Sequence, residues 1–225
     1  MVTKMKLKEK ERIDNMARRK IGKQYGFKQS SWCNWMIKEG YFFYIEHDTL
    51  AKNADLYVKP CYYDDLLWLI TSEDTLKKFP DSYRANGSFK APDFCVSENV
   101  VTLEKDEDFT EDNCECVWHH VFKKVIQQID VFLSKNPDVE SFSFINNSSV
   151  HLNNNNNLSH ILQMLYHKQY EDVLQLTLSL VEKGEKGCYS WSDGKGHSKY
   201  LYEYVIDYCK LSNQPQRQVL GSWGL

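Results

Sequence analysis

The sequence predicts an α+β protein in which an antiparallel β-meander packs against an N-terminal helix and one long helix. Residues 32–68 are rich in aromatic and β-branched residues, and Lys-Glu-Gly and Lys-Asn-Ala-Asp interrupt them, as expected for strands joined by turns. An amphipathic helical pattern precedes this stretch and a longer one follows it. After residue 150 the patterns are helical. We therefore expect an α+β domain at 1–150 and a small all-helical subdomain at 151–225.

The N-terminal helix is expected over residues 9–24. Its buried stripe is predicted at four apolar residues with helical spacing, Ile13, Met16, Ala17 and Ile21. Basic residues fall outside this stripe, among them Arg18, Arg19 and Lys23. Residues 1–28 contain ten lysines and arginines against three acids, which favours a solvated helix face over a basic arm that contacts a partner.

The strands of the meander alternate in the direction of their side chains. In the strand that starts at residue 41, one face receives Tyr41, Phe43 and Ile45 and the other receives Phe42 and Tyr44. Both faces are aromatic, so we expect both to be at least partly covered. In the next strand the inward positions are Ala54, Leu56 and Val58, and the outward positions are Asp55, Tyr57 and Lys59.

The remainder of the first domain is predicted as helices with short strands between them. A helix is expected over 64–79, capped by Asp64 or Asp65, and a further strand over 94–103. The longest helix is expected over 113–135, with a continuous apolar seam at Trp118, Phe122, Val125, Ile129 and Phe132. A last short strand is expected at 141–145.

The asparagine run 153–157 marks the predicted boundary between the two parts, because asparagine disfavours helix interiors. Three helices are predicted after it, with apolar stripes around residues 161–165, 170–181 and 201–209. A glycine-rich loop at 184–197 joins the last two helices.

Composition limits the possible partners and the compartment. The net charge of −3 and the pI of about 6.2 argue against a general nucleic-acid or anionic-membrane binder. The seven cysteines are odd in number and show no repeated spacing, and no apolar stretch is long enough to span a bilayer. These features favour the cytoplasm, and no cofactor is predicted.

The N-terminal part resembles a bacterial family catalogued as domain of unknown function 4304. The resemblance covers residues 9–145 and rests on the basic helix, the Tyr-Gly-Phe-Lys at 25–28, Trp32 and Trp35, the Tyr-Phe-Phe-Tyr-Ile strand and the long helix. It implies an α+β fold and a bacterial origin. It supplies no catalytic residues, and it does not account for residues 81–115 or 150–225.

Three groups of residues could carry chemistry. Glu46, His47 and Asp48 could supply an acid, a base and a ligand, but neighbouring strand residues point to opposite faces, which favours a packed histidine. Asp64 and Asp65 could hold a divalent cation, although a helix N-cap is the simpler interpretation. Cys114, Cys116, His119 and His120 form the most metal-like cluster, and Cys116 and His120, spaced i, i+4, could share a metal on a solvent-facing side of the long helix. A structural zinc site needs four ligands, typically in two paired sets, and only this one set is found, so no metal is predicted.

The density of aromatic residues supports a binding surface instead. Tryptophan and tyrosine are enriched at interaction hot spots, and the candidate surface consists of Trp32, Tyr44, Tyr57 and Trp191. The leading hypothesis is therefore a non-enzymatic protein-interaction or binding module, with an immunity-like role as a fold-level analogy. It requires that the aromatic sheet face is not fully covered within the chain.

Two other hypotheses remain open from the sequence. A hydrolase acting on a small polar or phosphorylated substrate would need carboxylates and histidines that converge in a deep pocket. A small-ligand binding module would need an aromatic-lined cavity without convergent titratable groups.

Overall fold

A six-stranded antiparallel sheet, in which each strand pairs with the next along the chain, forms the centre of the fold. The protein is represented by a computed structural model that describes residues 7–30, 33–47, 54–87, 89–97, 110–142, 151–152, 156–192 and 198–213. The strands are β1 (Lys28–Gln29), β2 (Cys33–Lys38), β3 (Tyr41–His47), β4 (Ala54–Pro60), β5 (Phe94–Ser97) and β6 (His151–Leu152). The predicted α+β meander is confirmed.

Helices flank the sheet and make up the C-terminal part of the chain. They are α1 (Leu7–Gln24), α2 (Cys61–Ile70), α3 (Tyr83–Asn86), α4 (Glu111–Lys135), α5 (Asn156–Tyr166), α6 (Tyr170–Glu182) and α7 (Leu201–Ser212), with a short 3-10 helix at Asp74–Lys78. The helix predicted at 64–79 begins three residues earlier, directly after Pro60, because proline fixes φ and needs no backbone donor. Ser72, with φ of 62°, follows its end.

The main hydrophobic core lies between one face of the sheet and the helices α1 and α4. Tyr41, Phe43 and Ile45 of β3 are buried there. The predicted seam of α4 is confirmed, since all five of its members are buried: Trp118, Phe122, Val125, Ile129 and Phe132. Helix α4 begins at Glu111, and the hydroxyl of Thr110 caps it by accepting from the backbone N–H of Asn113. The helix thus begins two residues before the start predicted at residue 113.

Helix α1 approaches the sheet closely at Gly22. A Cβ atom there would lie 2.7 Å from Nδ2 of Asn34 and 2.9 Å from the ring of Phe122. In an exposed helix, glycine to alanine stabilises by roughly 0.8–1 kcal/mol. We expect Gly22→Ala to destabilise instead, by about 1–3 kcal/mol, because the added methyl overpacks the interface. Urea unfolding at 25 °C measures the difference. The exposed Gln24→Ala on the same helix should stay within about 0.5 kcal/mol, and a stabilised Gly22→Ala would contradict the close contact.

The second face of the sheet is covered as well. Cys33, Trp35, Phe42 and Tyr44 form a smaller buried cluster with Ala85 of α3. The expectation that both aromatic faces are covered therefore agrees with the structure. Lys59, predicted to face outward into solvent, lies on this face and is completely buried, so that prediction was wrong. The alternation in β4 assigned Lys59 to the correct face of the sheet. It did not predict burial, because the segment that covers Lys59 includes Arg84 and Ala91, more than twenty residues along the chain.

The C-terminal helices add to the main core rather than to a separate one. Leu158, Ile161 and Leu162 of α5 belong to the same cluster as the sheet residues, as do Val205 and Cys209 of α7. The two parts predicted as separate domains thus share one hydrophobic core.

Two sequence predictions near the C-terminal part need correction. The part is not all helical, because β7 (Ser190–Ser192), inside the predicted glycine-rich loop, pairs with β8 (Ser198–Tyr200), directly after it. The strand expected at 141–145 is absent at Ser141 and Phe142, and its other residues lie outside the described ranges. The chain adds β6 to the sheet instead, after the predicted boundary at residue 150.

Candidate functional site

The predicted aromatic surface is largely internal. Tyr44 and Tyr57 are directly opposite each other on β3 and β4, and their rings stack with centroids 5.1 Å apart. Tyr44 is only 2% exposed, and its hydroxyl donates to Oδ2 of Asp93 at 2.6 Å. Tyr57 is half-buried, and Trp32 lies outside the described residues. Tyr44 therefore cannot serve as an exposed anchor, and the aromatic face loses its support as the binding surface.

Trp191 is also occupied within the chain. Its ring stacks on Phe89 with centroids 4.9 Å apart and contacts the edge of Tyr204 at 4.8 Å. The neighbouring Tyr189 donates a hydrogen bond to the backbone carbonyl of Lys90. Trp191 thus connects the β7–β8 hairpin to the segment that covers the second sheet face, and only part of it reaches solvent.

Asp64 is a buried ion-pair partner and not a helix cap. Its Oδ1 lies 2.9 Å from Nζ of Lys59 and accepts from the backbone N–H of Ala91 at 2.7 Å. Lys59 also donates to the carbonyls of Arg84 and Ala91, at 2.6 and 3.1 Å. Burial lowers the pKa of Lys59 and raises that of Asp64, and their contact opposes both shifts. The pair therefore joins β4 to the backbone of Arg84 and Ala91, which belong to the segment that covers the second face of the sheet.

Arg84 extends this buried network to the surface. Its guanidinium donates to Oδ1 of Asp65 at 2.9 Å and to the carbonyl of Cys61 at 2.7 Å. It also lies over the ring of Trp68, 5.1 Å from the centroid. With both carboxylates engaged by cations, the predicted pair at Asp64 and Asp65 does not offer a cation site.

The remaining predicted candidates do not converge. His47 packs edge-on against Trp118 with ring centroids 5.7 Å apart, while Glu46 is exposed and Asp48 lies outside the described residues. Cys116 and His120 are exposed on α4, as predicted, but Cys114 is completely buried in the core. Within the described ranges, no group of three or more histidine, cysteine or acidic residues could hold a metal ion.

A small pocket in the C-terminal part matches the aromatic-lined cavity only in part. Its volume is about 230 Å³, and Tyr200 and Tyr202 line it together with Glu185, Lys186 and Glu203. Sites for drug-sized ligands usually measure roughly 300–1,000 Å³. Glu203 already accepts from the backbone N–H of Tyr200 at the start of α7. This pocket is therefore too small and too occupied to be the leading candidate.

An open pocket between α1 and the end of β1 has the properties of a site. Its volume is about 560 Å³. The helix side consists of Arg12, Asn15, Met16, Arg18 and Arg19, and the sheet side consists of Gln29 and Ser30. We call this the arginine pocket. Arg12, Asn15, Met16 and Arg19 are exposed and follow the i, i+3, i+4, i+7 spacing of one helix face. None of the described lining residues is acidic.

Arg18 lies at the base of the arginine pocket and is completely buried. It donates to Oδ1 of Asn34 at 2.6 Å and to Oδ1 of Asn15 at 2.8 Å, and both acceptors are neutral amides. No described carboxylate forms an ion pair with it, and its Nε has no hydrogen-bond partner. Burial lowers the pKa of Arg18 to about 10. The negative charge of Asp14, one helical turn earlier, opposes this shift, so the positive charge of Arg18 is partly compensated.

The rim of the arginine pocket is equally unpaired. Arg19 makes no hydrogen bond or ion pair with any described residue, and Arg12 contacts only the sulfur of Met16, at 3.4 Å. The nearest acid to Arg18 on α1 is Asp14, which accepts from the indole N–H of Trp118 at 2.7 Å on the core side. Burial raises the pKa of Asp14. The pocket therefore has a positive potential.

Catalytic groups are missing from the described lining of the arginine pocket, which contains no carboxylate and no histidine. The nearest cysteine is Cys33, whose sulfur lies 3.3 Å from the hydroxyl of Ser30. Burial raises the pKa of the Cys33 thiol, so the nucleophilic thiolate is disfavoured. The geometry supports binding and supplies no general base.

Helical periodicity does not reveal this site, because it places Arg18 outside the apolar stripe of α1 and Met16 inside it. The structure reverses both, with Met16 50% exposed and Arg18 buried. One signal was present in the sequence. Asp14 and Arg18 are spaced i, i+4, which is the spacing of an acid and a base on one helix face.

Comparison with protein-family models, curated proteins and solved structures finds no match. The resemblance of residues 9–145 to domain of unknown function 4304 stays a prediction. Within the ranges that the structure describes, no helix has the length and apolar character needed to cross a membrane.

Proposed function

We propose that this chain is a non-enzymatic binding module that holds an anionic group of its partner in the arginine pocket. The observation that carries the proposal is the buried charge of Arg18, which forms no ion pair with a carboxylate of the described residues and lies beneath a rim formed by Arg12 and Arg19. An anion in the pocket would lower the electrostatic free energy of all three guanidinium groups. Arginine clusters are a recurring means of recognising acidic and phosphorylated motifs.

This proposal keeps the class of function expected from the sequence and moves its location. A partner would contact the exposed face of α1 instead of the aromatic sheet. An acidic surface on a protein partner fits this face, because α1 carries seven basic and three acidic residues. The hydrolase alternative receives less support, since the described lining of the pocket offers no acid or base.

A cytoplasmic location belongs to the same proposal. The buried Cys33, Cys114 and Cys209 are thiols that form no disulfide. Proteins of oxidising compartments commonly pair their cysteines, whereas a reducing cytosol keeps them as thiols.

Arg19→Gln should weaken the binding of an anionic probe about tenfold, because one charge-assisted hydrogen bond to an anion contributes roughly 1.5–3 kcal/mol. The probe is pyrophosphate, titrated at constant ionic strength into the ¹⁵N-labelled protein. Backbone amide shifts should saturate at residues 12–19 and 29–30 in the wild type.

Lys23→Gln is the matched control, because it removes one positive charge from an exposed position on the same helix outside the pocket. Its affinity should stay within about twofold of the wild type, since a side chain outside the pocket donates no hydrogen bond to the anion and attracts it only through water, where Coulomb energies are small. Equal weakening by both variants, or shifts spread over every basic surface, would show non-specific attraction and contradict the proposed site.

A further inference from the structure

The anion that fits the arginine pocket can be specified further. We infer that it is a phosphate monoester in its dianionic form, carried by a small molecule or by a phosphorylated side chain. This inference rests on the proposed function, since it specifies the chemistry of the same site. Charge, donor number and pocket volume each support it.

The charge of the pocket exceeds what a carboxylate compensates. Three guanidinium groups line it, and no acidic side chain is among the described lining residues. A carboxylate brings one negative charge, whereas a phosphate monoester brings about −1.5 to −2 at pH 7. A buried cation gains most from the anion with the larger charge, because the surrounding dielectric screens less than water does.

The donors of the pocket also exceed the capacity of a carboxylate. The exposed guanidinium groups of Arg12 and Arg19 each present N–H groups in a planar fork that pairs with two oxygens of a phosphate. Arg18 lies buried beneath them and contributes its charge, because its terminal nitrogens already donate to Asn34 and Asn15. Oδ1 of Asn15 accepts from Arg18, so its Nδ2 group is left as a donor. Gln29 adds a side-chain amide on the opposite side. Three terminal oxygens of a phosphate engage such a set more completely than two carboxylate oxygens.

The size of the pocket favours an ester over the free ion. A volume of about 560 Å³ lies within the usual range for small-molecule sites, and inorganic phosphate would fill only a small part of it. The exposed Met16 offers an apolar contact for the organic part of the ester. An organic group attached to the phosphate should therefore increase the affinity.

Three ligands that share a phenyl ring and differ in their anionic group test which anion the pocket prefers: phenyl phosphate, phenyl sulfate and benzoate. Each is titrated into the ¹⁵N-labelled full chain at pH 7.5 and constant ionic strength, and the amide shifts of residues 12–19 and 29–30 give the affinity. We expect phenyl phosphate to bind at least tenfold more tightly than either monoanion. Arg19→Gln should reduce this preference, and Lys23→Gln should not change it. Parallel ³¹P spectra should show no release of inorganic phosphate.

The pH profile provides an independent readout. The second pKa of a phosphate monoester is about 6, so phenyl phosphate should lose affinity between pH 7.5 and 5 while phenyl sulfate should not. Arg18 stays charged over this range, because its pKa of about 10 lies well above it. Asp14 and Cys33 are titratable groups whose charges act on Arg18, and the sulfate series corrects for any contribution from them.

Further probes identify the source of the phosphate. Inorganic phosphate, ribose 5-phosphate and a phosphoserine peptide are compared in the same titration. Tighter binding of the sugar phosphate or of the peptide than of inorganic phosphate supports the inference and names the source. Equal binding of all phosphates, or equal binding of the three phenyl ligands, overturns the inference but leaves the anion pocket in place. Absence of any shift at the pocket overturns the proposed function as well.

Discussion

Replacing Lys59 with methionine should lower the free energy of unfolding by about 3–5 kcal/mol. The variant removes a fully buried ammonium group and leaves the carboxylate of Asp64 buried without its closest cation. It also deprives the carbonyls of Arg84 and Ala91 of a donor, in the segment that covers the second sheet face. Urea unfolding at 25 °C, followed by circular dichroism, measures the loss.

Lys199→Met provides the matched control. Lys199 also pairs with an aspartate, Asp207, but both side chains are substantially exposed, so the loss should stay below about 1 kcal/mol. The double variant Lys59→Met with Asp64→Leu should be more stable than Lys59→Met alone, because it removes the orphaned carboxylate. If Lys59→Met were as mild as the control, the pair would not be isolated from solvent.

Trp118→Ala should be the second strongly destabilising change, with a loss of about 3–5 kcal/mol. Trp118 is completely buried at the N-terminal end of the α4 seam and packs against Phe122 and His47. Its indole N–H also satisfies the carboxylate of Asp14 at 2.7 Å. The truncation therefore combines a core cavity with a buried carboxylate that has lost its donor. Guanidinium unfolding measures the effect.

Trp118→Phe separates these two contributions. It keeps an aromatic ring in the core but removes the donor to Asp14, so we expect a smaller loss that still includes about 1–3 kcal/mol for the unpaired group. Val131→Ala on the exposed side of the same helix is the control and should lie within about 0.5 kcal/mol of the wild type. If Trp118→Phe were neutral, the bond to Asp14 would contribute nothing to stability.

The parts of the fold that could be predicted depend on local patterns. Alternation in β3 and β4 and the 4-3-4-3 spacing of the α4 seam are properties of neighbouring residues, and the structure has both. Binary patterning decides the class of element because strand and helix periods place side chains on different faces. The element ends were less accurate, as the early start of α2 after Pro60 shows.

The candidate site was missed for a related reason. Arg18 and Lys59 have the charge expected of solvent-facing residues, and their burial depends on groups distant in sequence. Arg18 donates to Asn34, sixteen residues away, and Lys59 contacts the backbone at Arg84 and Ala91. Such contacts offset the free-energy cost of desolvating a charge, and they form only when distant parts of the chain fold together. Periodicity within one element therefore cannot reveal them.

The sequence by itself determined the antiparallel meander, the inward face of each central strand and the core seam of α4, because these follow from hydrophobic periodicity along the chain. Tertiary structure alone decided which segment covers the aromatic face containing Tyr44, that Lys59 is buried, and that Arg18 lies beneath an open pocket. Covering a face requires a second segment, and residues 83–93 lie far along the chain from β3. Exposure therefore depends on contacts between elements, and so does the position of the site.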